Sequence, residues 1–434
     1  MPRLADVDVA VVGAGVAGLG AAATLRAAGV SHTVLEAGAR VGGRAYSTPL
    51  SWLDGTPFEH GAVWLHAAER NPVAAIAEAQ GDALTDAASL RRECTMLDGR
   101  PATEAELRDY AAAWPRFHAA ADALLEDRED ARLCEVARQL PDDPWALSVE
   151  AWEGPVIAAA DADALSLRDW RANVLTGSDL LVQGGLGAFV RNRLAQGAAV
   201  RLRAPVRTIK WGGPRGGVVL ETSAGSVSAR ACIVTVSTGV LASGALAFKP
   251  ALPAAMQDAI AALPMGAALK VLLEATNADR FGLPPHCSLD RQVRTSGEPF
   301  MVFQCWQHGN AAVQGWIGGS AARALEQEGD AAAVDFARAQ LRALLGSGVD
   351  STFAGGRSVV SRWSRDPLFG GAYAYAVPCR AQARAELAAP LAGGHLVFAG
   401  EACHADGLAG TVGGAWITGQ SAARTVLLAL RRAA

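Results

Sequence analysis

Three glycines and two charged residues within the first 44 positions carry chemistry that can be read directly from their spacing. Gly13, Gly15 and Gly18, with Ala14 and Ala17 between them, stand in the run VVGAGVAGLG, and Glu36, followed by Ala37, comes later. A glycine at the first position allows a tight turn, the second lets backbone approach a pyrophosphate, and the third lets a helix pack closely on a strand. The N-terminus of that helix presents unpaired N–H groups to the phosphates. The Glu36 carboxylate can accept hydrogen bonds from both hydroxyls of a ribose, and its charge disfavours a 2′-phosphate. The elements that position these groups are legible beside them. Val7 to Val12 read as a buried strand, Ala21 to Ala28 as a helix stopped by Gly29, and Thr33 to Leu35 as a second strand ending at Glu36.

The run after the acid separates cofactors. GARVGGR ends in Gly42, Gly43 and Arg44. Nicotinamide enzymes need no such turn, whereas large flavoproteins lay a glycine pair against the pyrophosphate and use the following arginine as its counter-ion. The signature therefore points to FAD.

Size and composition limit the rest. At 434 residues the chain exceeds one ordinary domain. Half of it is hydrophobic and 19% is charged, as in a compact globular protein. A net charge of -4 without a dense Lys/Arg block argues against nucleic acid. Arg201, Arg203, Arg207 and Lys210 read as solvated strand edges. The seven cysteines are scattered and form no C-x-x-C, so neither a disulfide framework nor a metal site is expected. No apolar run reaches about 18 residues, and the chain enters its first strand at once, so no membrane association and a cytoplasmic location are expected. Oligomeric state leaves no signature.

Residues 1 to about 65 form the nucleotide unit. From Asn71 to about Leu140 the pattern is helical, Ala123 to Leu140 included, and reads as an inserted lid. Leu180 to Ala195 reads as strand, Gly-Gly turn and helix; Val200 to Trp211 alternates like a strand; Gly217 to Leu241 reads as a hairpin turning near Ala224 and Gly225. Ala268 to Ala275 is a strand, and Ala321 to Leu345 one long helix stopped by Gly346. His395 to Ala402 is a strand, and Gly410 to Leu430 a turn feeding a helix. The expected fold is α/β: a discontinuous Rossmann-like FAD-binding domain of the GR2 flavoprotein type (1–70, 181–262, 391–434) with an inserted α+β substrate domain (71–180, 263–390). The cleft should lie where the chain crosses between them.

Read in order, these blocks resemble the flavin-containing amine oxidase family of monoamine oxidases, polyamine oxidases and lysine-specific histone demethylases. The likeness is carried by the N-terminal run, HGAVWLH with ERNP, LVQGGLGAFV, IVTVSTGVL, LKVLLE, RWSRDPLFGGAYAY and FAGEACHADGLAGTVGGAW. It implies oxidation of a small-molecule amine by hydride transfer to flavin N5, an imine hydrolysed to an aldehyde, and O2 reduced to H2O2. By its strand pattern alone Lys270 reads as a lysine at a strand rim; by the resemblance it contacts flavin N5 through a water. Tyr373 matches one wall of an aromatic cage whose second wall is replaced by Thr411. Ala372 stands where monoamine oxidases carry the cysteine bonded to flavin, so FAD should be noncovalent. His66 matches a histidine along the polyamine oxidase tunnel, although a lone histidine is more often structural. Trp363 matches a tryptophan bordering the flavin, and packing explains it nearly as well. Gly400 and Glu401 match the segment at the ribityl chain, and Gly410, Thr411 and Val412 begin a helix aimed at the flavin C2 carbonyl. Val206 matches a backbone contact to adenine. Gly61, Ala62, Val63 and Trp64 should follow the flavin edge. Glu78, Asp82 and Glu93 in the lid are either receptors for a distal ammonium or solvated, and His404 is a further candidate for the site.

Rival readings remain. An L-amino acid oxidase needs an arginine after the glycine segment at the flavin edge, where this chain has GAVWLH. Other flavin dehydrogenases of the fold share the N-terminal signature and do not require the Lys270 block. A flavin-binding protein without amine turnover is compatible with Thr411, and a nicotinamide dehydrogenase would lack a bound chromophore.

Overall fold

Strand Arg3–Val12 runs into the turn at Gly13 and then into helix Val16–Ala27 in the computed structural model, which describes residues 3–212 and 217–432. Its side chains alternate between two cores. Val9 and Val11 pack with Ala21, Ala22 and Leu25 of the helix that follows and with Ala422, Ala423 and Val426 of helix Val412–Arg432. Ala10 and Val12 face the other way, toward Met256, Ala259, Ala383 and Leu387. A parallel strand covered on both faces must be apolar throughout, and each fully buried valine or leucine contributes roughly 1.5–3 kcal/mol relative to an exposed one. The helix starts earlier than its alanines suggest. A Cβ on Gly18 would strike the Gly13 carbonyl, so the close approach that needs glycine outweighs its poor helix propensity.

Parallel pairing builds the centre of the first sheet in the order Val200–Arg201, His32–Leu35, Arg3–Val12, Gly225–Val234. The ten-residue strand Gly225–Val234 then divides. Its C-terminal half takes Leu396–Phe398 in parallel, and its N-terminal half takes Val218–Thr222 as the antiparallel hairpin expected near Gly225. Val206–Lys210 and Ala247–Lys249 complete the sheet.

A second sheet runs Ser358–Val360, Ala268–Glu274, Ala312–Gly318, Val302–Cys305, Cys287–Arg291, Arg92–Leu97, Arg100–Pro101. Leu269, Val271, Leu273, Leu289 and Phe303 pack on helices Gly319–Glu328 and Asp330–Leu345 through Ala322, Leu325, Ala337 and Leu341. With a side-chain period of two, the residues between them point away from that core. The architecture is α/β, a Rossmann-like fold joined to an α+β part.

Several expectations are corrected. The stretch 71–140 is not wholly helical: Arg92–Leu97 is a strand paired in parallel with Cys287–Arg291, a partner too distant in the chain for a local pattern to reveal. Helix Glu104–Asp127 ends before the expected Ala123–Leu140 segment is complete, and a short helix resumes at Cys134–Arg138. Between them the Asp130 carboxylate gathers the amides of Ala131, Arg168 and Cys379 and the Ser166 hydroxyl, which holds the chain in a loop. The long helix at 321–345 is two helices broken at Gly329, whose φ of 107° lies outside the helical region. The stretch Val200–Trp211 likewise divides at Arg203, where φ is 55°. Cys94 and Cys287 form a disulfide with Cα atoms 6.1 Å apart, a pairing between distant segments that no local cysteine spacing reveals. No described helix is long and apolar enough to cross a membrane.

Candidate active site

One cavity of about 1430 Å³ collects residues from both sheets. That exceeds the roughly 300–1,000 Å³ of an ordinary ligand pocket and leaves room for a cofactor and a substrate together. Apart from His404, Glu78 and Asp82, every residue expected at the site lines it, save Ala14 and Gly18. Those two act one step behind the wall: Gly18 packs helix on turn, and the Ala14 amide donates to Glu36 Oε2 at 2.7 Å.

The dinucleotide end fits FAD. Gly15 is extended, at φ −72° and ψ 179°, and a Cβ there would meet nothing within 4 Å, so its backbone faces open space. Gly13 adopts a φ of 102°, and Thr235 Oγ1 lies 2.7 Å from where its Cβ would be. The second glycine turn is laid against the first, with Gly42 N–H donating to the Ala14 carbonyl at 2.9 Å. The Glu36 oxygens each accept one amide, from Ala14 and Gly38, which leaves lone pairs for the two hydroxyls of a ribose. Val206 reaches this end because Arg203 N–H and Ala204 N–H bond the carbonyls of Gly38 and Glu36.

Arg44 is held rather than free. Its Nη1 donates to Glu401 Oε1 at 2.8 Å and to the Ala372 carbonyl at 2.6 Å. Glu401 also accepts the Ala374 amide, so a single ion pair ties the second glycine turn to both C-terminal blocks. Helix Val412–Arg432 begins in the cavity wall. Thr411 Oγ1 accepts the Gly414 amide at 3.0 Å and donates to the Leu408 carbonyl at 2.7 Å, the arrangement of a helix N-cap. Its positive end thus faces the cavity.

At the opposite end Lys270 is 2% exposed. Its Nζ donates to the carbonyls of Glu59 at 2.9 Å and Gly61 at 2.5 Å and stands 4.6 Å above the Trp316 ring. Burial pushes its pKa down to about 7, against the raising influence of the Glu59 charge. Burial in turn raises the Glu59 carboxyl, which bonds Ser47 and the amides of Leu186 and Gly187. Gly61 has no room for a side chain, since a Cβ would strike the Arg44 carbonyl and lie 3.0 Å from Trp363. Trp363 is pinned by a 2.7 Å bond from its Nε1 to the His60 carbonyl.

The Tyr373 hydroxyl donates to the Ile157 carbonyl at 2.7 Å. Ile157 lies in a π-helical turn, Trp152–Ala158, a distortion that recurs at functional sites. His66 Nδ1 is 2.8 Å from Asp179 Oδ1, and Trp64 lies 5.9 Å from Trp316 across the same space. Of the lid acids, Glu93 lines the cavity; Glu78 is exposed and Asp82 pairs with Arg193 outside it. His404 is buried behind the wall. Sequence reasoning missed Glu59, Trp316 and Asp290. The alternation of Trp316 with Gly315 and Ile317 on a strand was the available signal for the second of these.

The profile of the flavin containing amine oxidoreductases matches residues 16–427. The chain belongs to this family. It is 30% identical to polyamine oxidase 4 of Oryza sativa subsp. japonica over 96% of this chain and 88% of that one. It is 26% identical to lysine-specific histone demethylase 1B of Mus musculus, over 95% of this chain and 52% of the other. Among solved structures, wild-type putrescine oxidase bound to putrescine shares the fold, with a TM-score of 0.80 and 21% identity over 98% of this chain and 100% of that one. This amine oxidoreductase is therefore an enzyme that acts on amines and uses FAD, as the resemblance implied.

Proposed function

We propose that this amine oxidoreductase oxidises a C–N bond of a primary or secondary small-molecule amine, passes the electrons to O2, and releases an aldehyde and H2O2. FAD, when bound, supplies the two-electron chemistry that turns the amine into an imine for hydrolysis. On this reading segments 1–70, 181–262 and 391–434 hold the cofactor, and 71–180 and 263–390 hold the substrate. Gly13, Gly15, Gly43 and Arg44 would receive the pyrophosphate, Glu36 the ribose and Glu401 the ribityl chain. Ala372 offers no thiol for a covalent bond, so FAD is noncovalent.

The observation that carries this reading is Lys270, a buried cation in one cavity with Tyr373, Trp316 and the dinucleotide turn. Two of its three N–H groups are occupied by carbonyls, and the third can hold a water or meet charge developing in the cavity. Tyr373, Trp64 and Trp316 supply aromatic faces that tolerate a nearby cation, and the Ile157 carbonyl fixes the plane of Tyr373. An amine entering this low-polarity space loses its proton more easily, and only the neutral amine has the lone pair that assists oxidation. The His66–Asp179 pair orients that amine. Peroxide release from a panel of putrescine, spermidine, N-acetylated polyamines and aromatic monoamines tests the proposal. Release with at least one class supports it, and release only with an L-amino acid would favour the amino acid oxidase instead. Acid denaturation that leaves the flavin on the precipitate would contradict noncovalent binding.

A further inference from the structure

Three cysteines that lie far apart in the chain meet on one face of the second sheet. Arg92–Leu97 and Cys287–Arg291 pair in parallel with Cys94 beside Leu289, and the antiparallel neighbour Val302–Cys305 sets Cys305 opposite Cys287. All three side chains belong to the core between this sheet and helices Gly319–Glu328 and Asp330–Leu345, where Cys287 and Cys305 are fully buried and Cys94 is half-buried. With a side-chain period of two, the residues next to them point the other way. Glu93 and Thr95 on the first strand, Ser288 and Asp290 on the second and Gln304 on the third all line the cavity.

The Cys94–Cys287 disulfide, with Cα atoms 6.1 Å apart, therefore ties together from behind two strands whose opposite faces form part of the cavity wall. Arg92–Leu97 has little else to hold it on the sheet. It is the last strand but one, with the two-residue strand Arg100–Pro101 beyond it. It also leads into helix Glu104–Asp127 of the lid, whose Ala111, Trp114 and His118 line the same cavity. A link at Cys94 thus fixes both a piece of the wall and the base of the lid.

The other five cysteines are free thiols. One disulfide among five free thiols is not a framework, and pairs of this kind are mostly transient and redox-sensing. Of the three cysteines on this face, Cys94 is the one a small oxidant can reach from solvent. Burial pushes the Cys305 thiol up to about 12, which keeps it protonated and out of exchange with its neighbours. The partner of Cys94 is therefore Cys287.

Resting on the oxidation proposed above, which releases H2O2, we infer that Cys94 and Cys287 are a reversible cross-link closed by hydrogen peroxide, and that closing it fixes strand Arg92–Leu97 and the lid against the substrate sheet. In the reduced form the Cys94 sulfur attacks one oxygen of the peroxide, the O–O bond breaks, and a sulfenic acid and water result. The Cys287 sulfur then attacks the Cys94 sulfur, the S–O bond breaks, and a second water leaves. Two thiols lose two electrons and two protons, and one peroxide becomes two waters. A dithiol reverses the step by exchange. The product of the reaction in this way tightens the cavity that makes it.

Peptide mapping by mass spectrometry tests the link on the FAD-loaded enzyme, reduced with dithiothreitol, freed of it and then treated with H2O2 or buffer. The Cys94–Cys287 peptide should vanish on reduction and return with peroxide. A link that does not open in the folded protein, or does not return, overturns the inference. The reduced enzyme should melt about 2 °C or more below the cross-linked one. Its KM for the amine should be about threefold or more higher with kcat little changed, the pattern of lost binding. Cys94→Ser should show the reduced values with or without peroxide, while Cys379→Ser, at an exposed thiol outside the pair, should respond as the native chain does. Equal melting and equal KM in the two forms of the native chain overturn the inference. Added peroxide reads the link without turnover, so a chain that oxidises no amine yet closes the link and melts higher would sink the proposed oxidation and leave the cross-link standing.

Discussion

Lys270 donates its ammonium to the backbone carbonyl of Glu59, 2.9 Å away, while the carboxylate of the same glutamate turns to Ser47 and to the amides of Leu186 and Gly187. The two charges therefore act on each other through space without a direct hydrogen bond. Burial opposes that attraction and lowers the pKa of the lysine from its ordinary value.

Replacing Lys270 with methionine removes the cation and keeps most of the bulk. If the cation stabilises charge that develops during the reaction, kcat should fall roughly 10²-fold or more, the size of effect seen when one preorganised donor is lost. Visible FAD content, measured on the same preparation, should persist. A FAD-loaded variant with kcat within a few-fold of the native value would remove Lys270 from the chemistry.

Gly15→Ala separates cofactor binding from folding. The backbone there is extended, and a Cβ would meet no protein atom within 4 Å, so the apoprotein should melt within about 0.5 kcal/mol of the native chain. FAD should bind at least tenfold more weakly, about 1.4 kcal/mol, because the methyl group projects where the pyrophosphate must approach. Equal affinity by fluorescence titration would show that the cofactor does not pass this turn.

These contrasts follow what could and could not be read from the chain. Gly13, Gly15, Glu36 and Arg44 were legible because turn, helix and acid are local and each has a distinct physical task. Lys270 and Tyr373 were legible through blocks whose order resembles a known family. Asp290 and Glu59 were not, since their significance comes from segments far away in the chain: Asp290 matters because Thr95, Tyr110 and Trp152 converge on it, and Glu59 because Lys270 reaches its carbonyl. The strand Arg92–Leu97 was hidden for the same reason. The break at Gly329 was missed because the amphipathic pattern continues on both sides of it.

Tyr373→Phe should loosen the π-helical turn. The lost bond from its hydroxyl to the Ile157 carbonyl costs about 1 kcal/mol in stability, visible as a lower melting temperature. With the ring less firmly set, KM should rise more than kcat falls. A variant indistinguishable in both constants would mean that the ring plane does not guide the amine.

The raised pKa of Asp290 has a stability consequence with a definite sign. The folded state keeps this proton up to about 6, whereas the unfolded chain releases it near 3.8. Between those values the native state binds more protons, so stability falls as pH rises, and the penalty is fully present above about 6 and absent below about 3.8. Asp290→Asn should therefore gain on the native protein between pH 4 and pH 7 in a melting series. A constant offset across that range would contradict the assignment.

The central claim is that amine and FAD meet in the cavity that holds Lys270. Anaerobic addition of spermine to the FAD-loaded protein should bleach the visible flavin absorption, and admitting air should restore it with release of peroxide. A spectrum unchanged by spermine, by shorter diamines and by monoamines, in protein that carries a full complement of FAD, would contradict it.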